Sequence, residues 1–346
     1  MLTLNSEVSI SYVLDFLLSQ DYSRDKILYL VVDGGSSDNT LGVVREVFTK
    51  HQDRVFDVVV AAGSNIPQAR NVCLERLLQA GVDYVLFVDS DILVVAKNAF
   101  QLITRLAEEK HTLIHFTYSF KYFSNPEELR KFIEELRLFE VSVTHKDLIP
   151  SLQISMGFTA IPREIATTLR FDEDMDFGED YLYALKAYSR GYVPHIVNGS
   201  TFLYDINVRG KRSDIYWKLP FRRYLRSARK KALVSLAKCV EDNSLKLSVK
   251  KLSEKLVKHS VNVLLLATLY LLPVLVFIDL NLFQVFLMIR VLSMLGYAVF
   301  KKFQGFTLLD GLKNRIKFEH FSALIILNLP LALLHWLHLR APQLRQ

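Results

Sequence analysis

The chain has 346 residues, 51% of them hydrophobic and only 23% charged, with a mean hydropathy of +0.20. That composition excludes a disordered chain, and two cysteines, Cys73 and Cys239, exclude a disulfide-stapled fold or a Cys-rich zinc module. The net charge of +7 is uneven: residues 211–258 hold 15 Lys and Arg against four Asp and Glu, so length and charge together predict two or three unlike modules.

In chain order, periodicity predicts a helix over 10–19, a buried strand over 27–32 (ILYLVV) and a helix over 41–51. A second strand follows over 55–60 (VFDVVV), then a helix over 68–80 with Ala69, Val72, Cys73 and Leu77 on one face. A third strand over 84–88 (YVLFV) and a helix over 97–108 complete the series. Short strands alternating with helices imply an α/β domain with a parallel sheet and right-handed crossovers. Ligands bind such sheets beyond the carboxyl ends of the strands, so the residues just after each strand carry the interest.

The first of these segments is Asp33-Gly34-Gly35-Ser36-Ser37-Asp38-Asn39-Thr40. Gly34 and Ser36 allow a ligand to approach the backbone closely, and Asp33 can accept hydrogen bonds from a base or ribose. Asp38 and Thr40 are explained by capping the next helix. After the third strand stands Asp89-Ser90-Asp91, whose carboxylates share one side if the chain stays extended. They are hard oxygen ligands suited to Mg²⁺ or Mn²⁺ bridging to a diphosphate. Two further Asp-x-Asp pairs, Asp172/Asp174 and Asp174/Asp176, do not follow a strand.

VVDGGSSDNT, then Ala69-Arg70-Asn71, then YVLFVDSD, then FGEDYLYALKAYSRGY at residues 177–192 resemble inverting glycosyltransferase family 2 over about the first 205 residues. The resemblance implies the GT-A fold, a Rossmann-like mixed sheet that binds a nucleotide-sugar. It implies that Asp33 contacts the base and that Asp89 and Asp91 hold the sugar-nucleotide and metal. Arg70 joins the nucleotide-binding set, as do Thr3 and Glu7 by analogy. Asp180 of the Glu179-Asp180 pair becomes the general base, because inversion is one in-line displacement in which a base takes the acceptor proton. A metal would neutralise the departing nucleoside diphosphate. Glu179 also has a simpler reading, as an acid satisfying a helix N-terminus. Met156 and Gly157 fall where the family places a small-residue loop on the acceptor side. Two departures stand out. Residues 1–7 resemble only the end of the family's first strand and its loop, as a misassigned start codon would leave it. The metal-binding His of many members is missing from Phe202-Leu203-Tyr204-Asp205, and His195 falls within a strand, where a structural role is expected.

Beyond residue 205 the sequence changes character. Residues 206–259 form a basic juxtamembrane region in which cations alternate with Tyr216, Trp217, Phe221 and Tyr224, the composition of an interfacial amphipathic helix. Arg222 and Arg223 resemble the Arg-aromatic element of processive synthases but suit a lipid surface better. Residues 260–340 contain apolar segments at 261–278, 282–300 and 321–337, each near the length of a membrane span. The Lys and Arg flanking the first two predict a multi-pass membrane protein with its catalytic domain in the cytoplasm, consistent with the lack of a signal-peptide pattern. Arg290, inside the second segment, either snorkels, pairs within the bundle or meets a phosphate. These expectations converge on an inverting glycosyltransferase acting on a polyprenyl phosphate or lipid-linked glycan, with a processive synthase or a non-enzymatic nucleotide-sugar binder as alternatives. Nucleic acid is not an expected partner, since membrane segments account for the basic block, and the sequence does not fix an oligomeric state.

Overall fold

The structure is a computed structural model. It describes residues 1–175, 178–208, 230–240, 245–278 and 280–303, with residues 315, 319–320, 322–323, 326–328, 330 and 332–333. The chain divides into two compact units, Met1–Lys211 with Glu241–Lys246, and Arg212–Val240 with Leu247–Gln346.

In the first unit, β1 (Leu2–Thr3), β2 (Leu28–Asp33) and β3 (Val55–Val60) pair in parallel, with Leu2 opposite Val32 and Thr3 opposite Asp33. A parallel bridge from Leu2 to Asp89 joins β1 to β4 (Tyr84–Val88). Beyond β4 lie β9 (Phe158–Pro162), β6 (Ile114–Phe116), β10 (His195–Val197) and β8 (Ile149–Pro150). The strand order is therefore β3-β2-β1-β4-β9-β6-β10-β8. β9 runs antiparallel to both β4 and β6, so the sheet is mixed rather than wholly parallel. A second sheet has the order β5 (Ile92–Val94), β11 (Leu203–Val208), β7 (Ser119–Phe123).

Strand alternation divides the core. Leu30 and Val32 of β2 enter one apolar layer with Ala69, Cys73, Leu74, Ile165 and Tyr183. Tyr29 and Val31 enter the other with Val13, Leu14, Leu17, Val44 and Ile103. The layers are built from helices α1 (Ile10–Leu18), α2 (Thr40–Lys50) and α4 (Ala99–Lys110) on one face. On the other stand α3 (Ile66–Gln79), α6 (Arg163–Thr168) and α7 (Glu179–Ser189), with α5 (Pro126–Glu135) beside β7 and β11. The sequence-predicted elements fall within one or two residues of these bounds, and the strands 55–60 and 84–88 match them outright. α3 starts sharply because Asn65 and Gln68 form a reciprocal capping box and Pro67 follows the cap.

The second unit contains α8 (Val249–Ile278) and α9 (Leu280–Phe303), which pack together. The expected spans over 261–278 and 282–300 are not found: among the described residues no helix is long and apolar enough to cross a membrane. The multi-pass membrane placement, with the cytoplasmic side it assigned, is corrected accordingly. α8 opens with Lys250, Lys251, Glu254, Lys255 and Lys258, and α9 carries a charge at mid-length. That charge, Arg290, pairs within its unit, donating to Glu319 Oε2 at 2.5 Å and to the Leu265 carbonyl at 3.0 Å. Both members of the pair are buried, and Arg315 reaches the same carboxylate at 3.0 Å. α9 leaves Val285, Met288, Leu292 and Leu295 exposed. Most of segment 321–337, and all of 209–229 with Arg222 and Arg223, lie outside the described residues.

Candidate active site

The carboxyl ends of the neighbouring parallel strands β2, β1 and β4 open into three loops, residues 4–9, 33–40 and 89–91. Short polar side chains lace them together. Gly34 N donates to the Thr3 carbonyl (2.9 Å), Asn5 N to Ser36 Oγ (2.9 Å), and Ser37 N to Asn5 Oδ1 (2.9 Å). Ser6 N donates to Thr40 Oγ1 (2.7 Å), and Asn39 N to Glu7 Oε2 (3.0 Å). The third loop joins through the Ser6–Ser90 hydroxyl pair (2.9 Å) and Ser9 Oγ donating to the Ser90 carbonyl (3.0 Å). Such a mesh fixes three loops as one surface, the preorganisation that a binding site needs.

Asp33 is fully buried and its carboxylate is turned into its own loop. Oδ2 accepts from Gly35 N (3.0 Å) and Ser36 N (2.9 Å), and Oδ1 from Ser36 Oγ (2.5 Å). In this structure Asp33 shapes the loop, and Ser36 holds it from the other side. Gly35 has φ of +96°, and a Cβ there would stand 3.2 Å from Ala62 Cα, so a side chain at this turn would be both strained and crowded. Asp38 accepts from Thr40 N (3.0 Å), in keeping with a capping role. Glu7 likewise secures the start of α2. The buried Thr3 Oγ1 has no hydrogen-bond partner among the described residues.

Asp89-Ser90-Asp91 does not stay extended. Ile92 N donates to the Asp89 carbonyl at 3.1 Å, closing a turn between β4 and β5. The two carboxylates nevertheless bear on one group, the Tyr118 hydroxyl. Burial pushes the Tyr118 pKa up, the hydrogen bond shared with Ser155 (2.9 Å) opposes this, and Asp89, Asp205 and Asp91 add to the rise. Tyr118, Ser155 and Asp205 were not singled out from the sequence as site residues. Asp205 stands where the family's metal-binding His was sought, and the register of β11 with β5 places it opposite Ile92, next to Asp91. Its Oδ1 accepts from Asn207 Nδ2 at 2.5 Å.

Arg70 is the hub on the α3 side. Its guanidinium is buried, binds the buried Glu179 carboxylate directly, lies 3.9 Å from Asp89 Oδ1 and stacks 5.5 Å from the Phe171 ring. Glu179, expected beside the base, is thereby committed to Arg70. Asp180 follows at the first turn of α7, half-buried, with Oδ1 accepting from Tyr181 N at 2.8 Å. One expectation fails outright: Met156 is fully buried in the apolar layer with Leu30, Val32 and Phe87, so it lines no acceptor face or lipid surface. Gly157 does reach the site. Its carbonyl accepts from Asp89 N (3.1 Å), and a Cβ there would stand 2.8 Å from the Tyr118 ring. His195 lies in β10 as expected. The buried His115 is held near neutral by burial, its pKa pushed down to about 4. Nδ1 carries the proton, because the Phe158 carbonyl 3.1 Å away can only accept.

Among the described residues no group of three or more His, Cys, Asp or Glu is arranged to hold a metal. Asp89 and Asp91 still fit one, because Mg²⁺-type ions are commonly held by one or two carboxylates plus substrate phosphates rather than by a protein cage.

Residues 1–170 match the family described as glycosyl transferase family 2. The chain is 26% identical over 210 residues to poly(ribitol-phosphate) β-N-acetylglucosaminyltransferase TarS of Staphylococcus aureus, a match covering 60% of this chain and 35% of TarS. The chain thus spans about a third of the length of the curated relatives it matches. The mannosyltransferase PcManGT of Pyrobaculum calidifontis, solved with GDP-Man and Mn²⁺, superposes with a TM-score of 0.52 at 18% identity. That likeness covers 95% of this chain and 85% of that one, and shows the shared fold. S. aureus TarS 1–349 with UDP-GlcNAc gives a TM-score of 0.48 at 22% identity, covering 68% of this chain and 65% of that one. The ordered motifs, the GT-A sheet and its loops agree with the match of residues 1–170, just under half of the chain, to glycosyl transferase family 2.

Proposed function

We propose that the chain transfers a sugar from a nucleoside diphosphate sugar to an acceptor hydroxyl, with inversion at the anomeric carbon. The observation that carries this reading is the convergence of the three laced loops on Asp89 and Asp91, tied through Arg70 and Glu179 to the helix turn that presents Asp180. Asp180 takes the proton of the attacking hydroxyl, and the loops after β1 and β2 seat the nucleoside. A Mg²⁺ or Mn²⁺ held by Asp89 and Asp91 would neutralise charge on the leaving diphosphate. Arg70 keeps Asp89 aimed at that position and holds Glu179 out of the reaction.

The case for a polyprenyl phosphate or lipid-linked acceptor rested on an anchored chain. With the spans corrected, the acceptor is proposed as a hydroxyl of a glycan. TarS is named for N-acetylglucosamine transfer and PcManGT was solved with GDP-Man, so UDP-GlcNAc and GDP-mannose are the first donors to try. Incubated with either donor and Mn²⁺, the protein is expected to release nucleoside diphosphate, slowly to water and faster once an acceptor is present. Release should fall by roughly 10²-fold or more in Asp91→Asn. Intact donor after prolonged incubation across the UDP- and GDP-sugar series would sink the proposal.

A further inference from the structure

β7 carries a feature that the transfer chemistry does not use. Strand alternation places Ser119, Lys121 and Phe123 on one side and Phe120 and Tyr122 on the other, with Tyr118 just before the strand in line with the second set. The first side is accounted for. Phe123 is buried against Phe132, their ring centres 5.3 Å apart, and Lys121 Nζ lies over the Phe132 and Tyr204 rings at 5.9 and 5.5 Å.

The second side is not. Phe120 is 55% exposed and Tyr122 is 72% exposed. Their rings lie 6.4 Å apart and nearly parallel, at 15°. Tyr118 meets Phe120 edge-on at 5.6 Å and 77°. The three rings form a continuous strip with a defined inner end. Tyr118 bonds Ser155 and packs on Gly157, whose carbonyl holds the Asp89 amide. The strip therefore runs from the Asp89 loop outward along an edge strand.

Apolar groups scattered singly on a surface need no explanation, but ordered parallel rings continuous with a reaction centre mark a ligand surface. Their chemistry selects the ligand. A pyranose ring has a flat C–H face that stacks on an aromatic face, while its hydroxyls stay in water. The strip carries no cation among the described residues, since Lys121 points to the other side. Asp205 of β11 lies in register with Phe120. A polyanion or nucleic acid would meet the Asp205 and Asp89 carboxylates there.

We propose that Tyr118, Phe120 and Tyr122 form a stacking track for a neutral pyranose oligosaccharide, leading the acceptor chain to the Asp89 loop. The direction of the track rests on the glycosyl-transfer reading above. Stacking of the oligosaccharide is tested separately, by titrating the full chain with chitotetraose and cellotetraose, and in parallel with UDP. At least one oligosaccharide is expected to bind. Phe120→Ala/Tyr122→Ala should weaken that binding roughly tenfold with UDP affinity and melting curve unchanged, while Phe120→Trp retains it. The proposal is overturned if the oligosaccharides bind the double variant as well as the wild type, or fail to bind a wild-type protein that does bind UDP. It is also overturned if the double substitution only converts a dimer to monomer, which would assign the strip to a second copy of the chain. Failure of UDP alone to bind, with ring-dependent oligosaccharide binding intact, would defeat the transferase reading and leave the track standing.

Discussion

Asp180→Asn is expected to lower the rate of transfer to a hydroxyl acceptor by roughly 10²–10⁴-fold, with donor affinity close to that of the wild type. The reason lies in how the acidic pair is divided. Glu179 and Asp180 are neighbours in sequence, yet α7 sends them to different surroundings. Glu179 points inward and is taken up by Arg70 in an ion pair buried on both sides. Asp180 stays half-buried at the first turn of α7, with Oδ1 accepting from the Tyr181 amide, and is proposed as the base that takes the acceptor proton. A chemistry-limited loss of turnover without a matching loss of nucleotide binding is the signature of a group that acts only in the transition state. Phosphate acceptors, already ionised, should feel the change far less, so the ratio of the two effects reports the acceptor's chemistry. Full turnover with a hydroxyl acceptor in Asp180→Asn would remove this residue from the mechanism.

The second large effect is on stability. Arg70→Ala leaves the Glu179 carboxylate buried without its counter-charge, which is expected to destabilise the N-terminal unit by about 3–5 kcal/mol. For a unit of this size that lowers the melting temperature by roughly 10 °C. It also removes a cation 3.9 Å from Asp89 and the guanidinium stacked on Phe171. The double substitution Arg70→Met/Glu179→Leu removes both charges together and should recover much of the loss, because replacing a buried pair by apolar groups of similar volume is often neutral. Thermal denaturation of the wild type and the two variants decides it. An Arg70→Ala protein that melts with the wild type would show that the pair contributes nothing.

The contrast between these residues shows what the sequence can convey. β2 and β4 were legible as apolar runs and β3 as an apolar run interrupted only by Asp57, while α3 was legible because its apolar residues recur at helical spacing. β1 was legible only as a fragment, for a strand of two residues, Leu2–Thr3, has no period to detect. The loop residues Asp33, Asp89 and Asp91 could be found because they follow readable strands. Tyr118 could not: it sits between two short strands, and only the fold brings it to Ser155 and the Asp89 loop.

Long-range partners explain the remaining differences. Arg70 and Glu179 are 109 residues apart, and Arg290 and Glu319 are 29 apart. No local window shows either pair. The membrane reading failed for a related reason, since an apolar run over 282–300 satisfies a packed helix as well as a span. A lone arginine within it looks costly until its buried carboxylate partner is known. Met156 fell on the wrong side because one position of register separates a core residue from a site residue. Gly157 reaches the Asp89 loop, while its neighbour Met156 points into the core.

On the proposed reading, the loops after β2, β1 and β4 form a nucleotide-sugar site organised around Asp89 and Asp91. Calorimetric titration of the full chain with UDP and GDP, with and without Mn²⁺, tests it most directly. At least one nucleoside diphosphate is expected to bind in the micromolar range with Mn²⁺, to weaken roughly tenfold or more without it, and to lose that Mn²⁺ enhancement in Asp91→Asn. Binding of neither nucleotide, or binding unaffected by Asp91→Asn and by Mn²⁺ alike, would contradict the account.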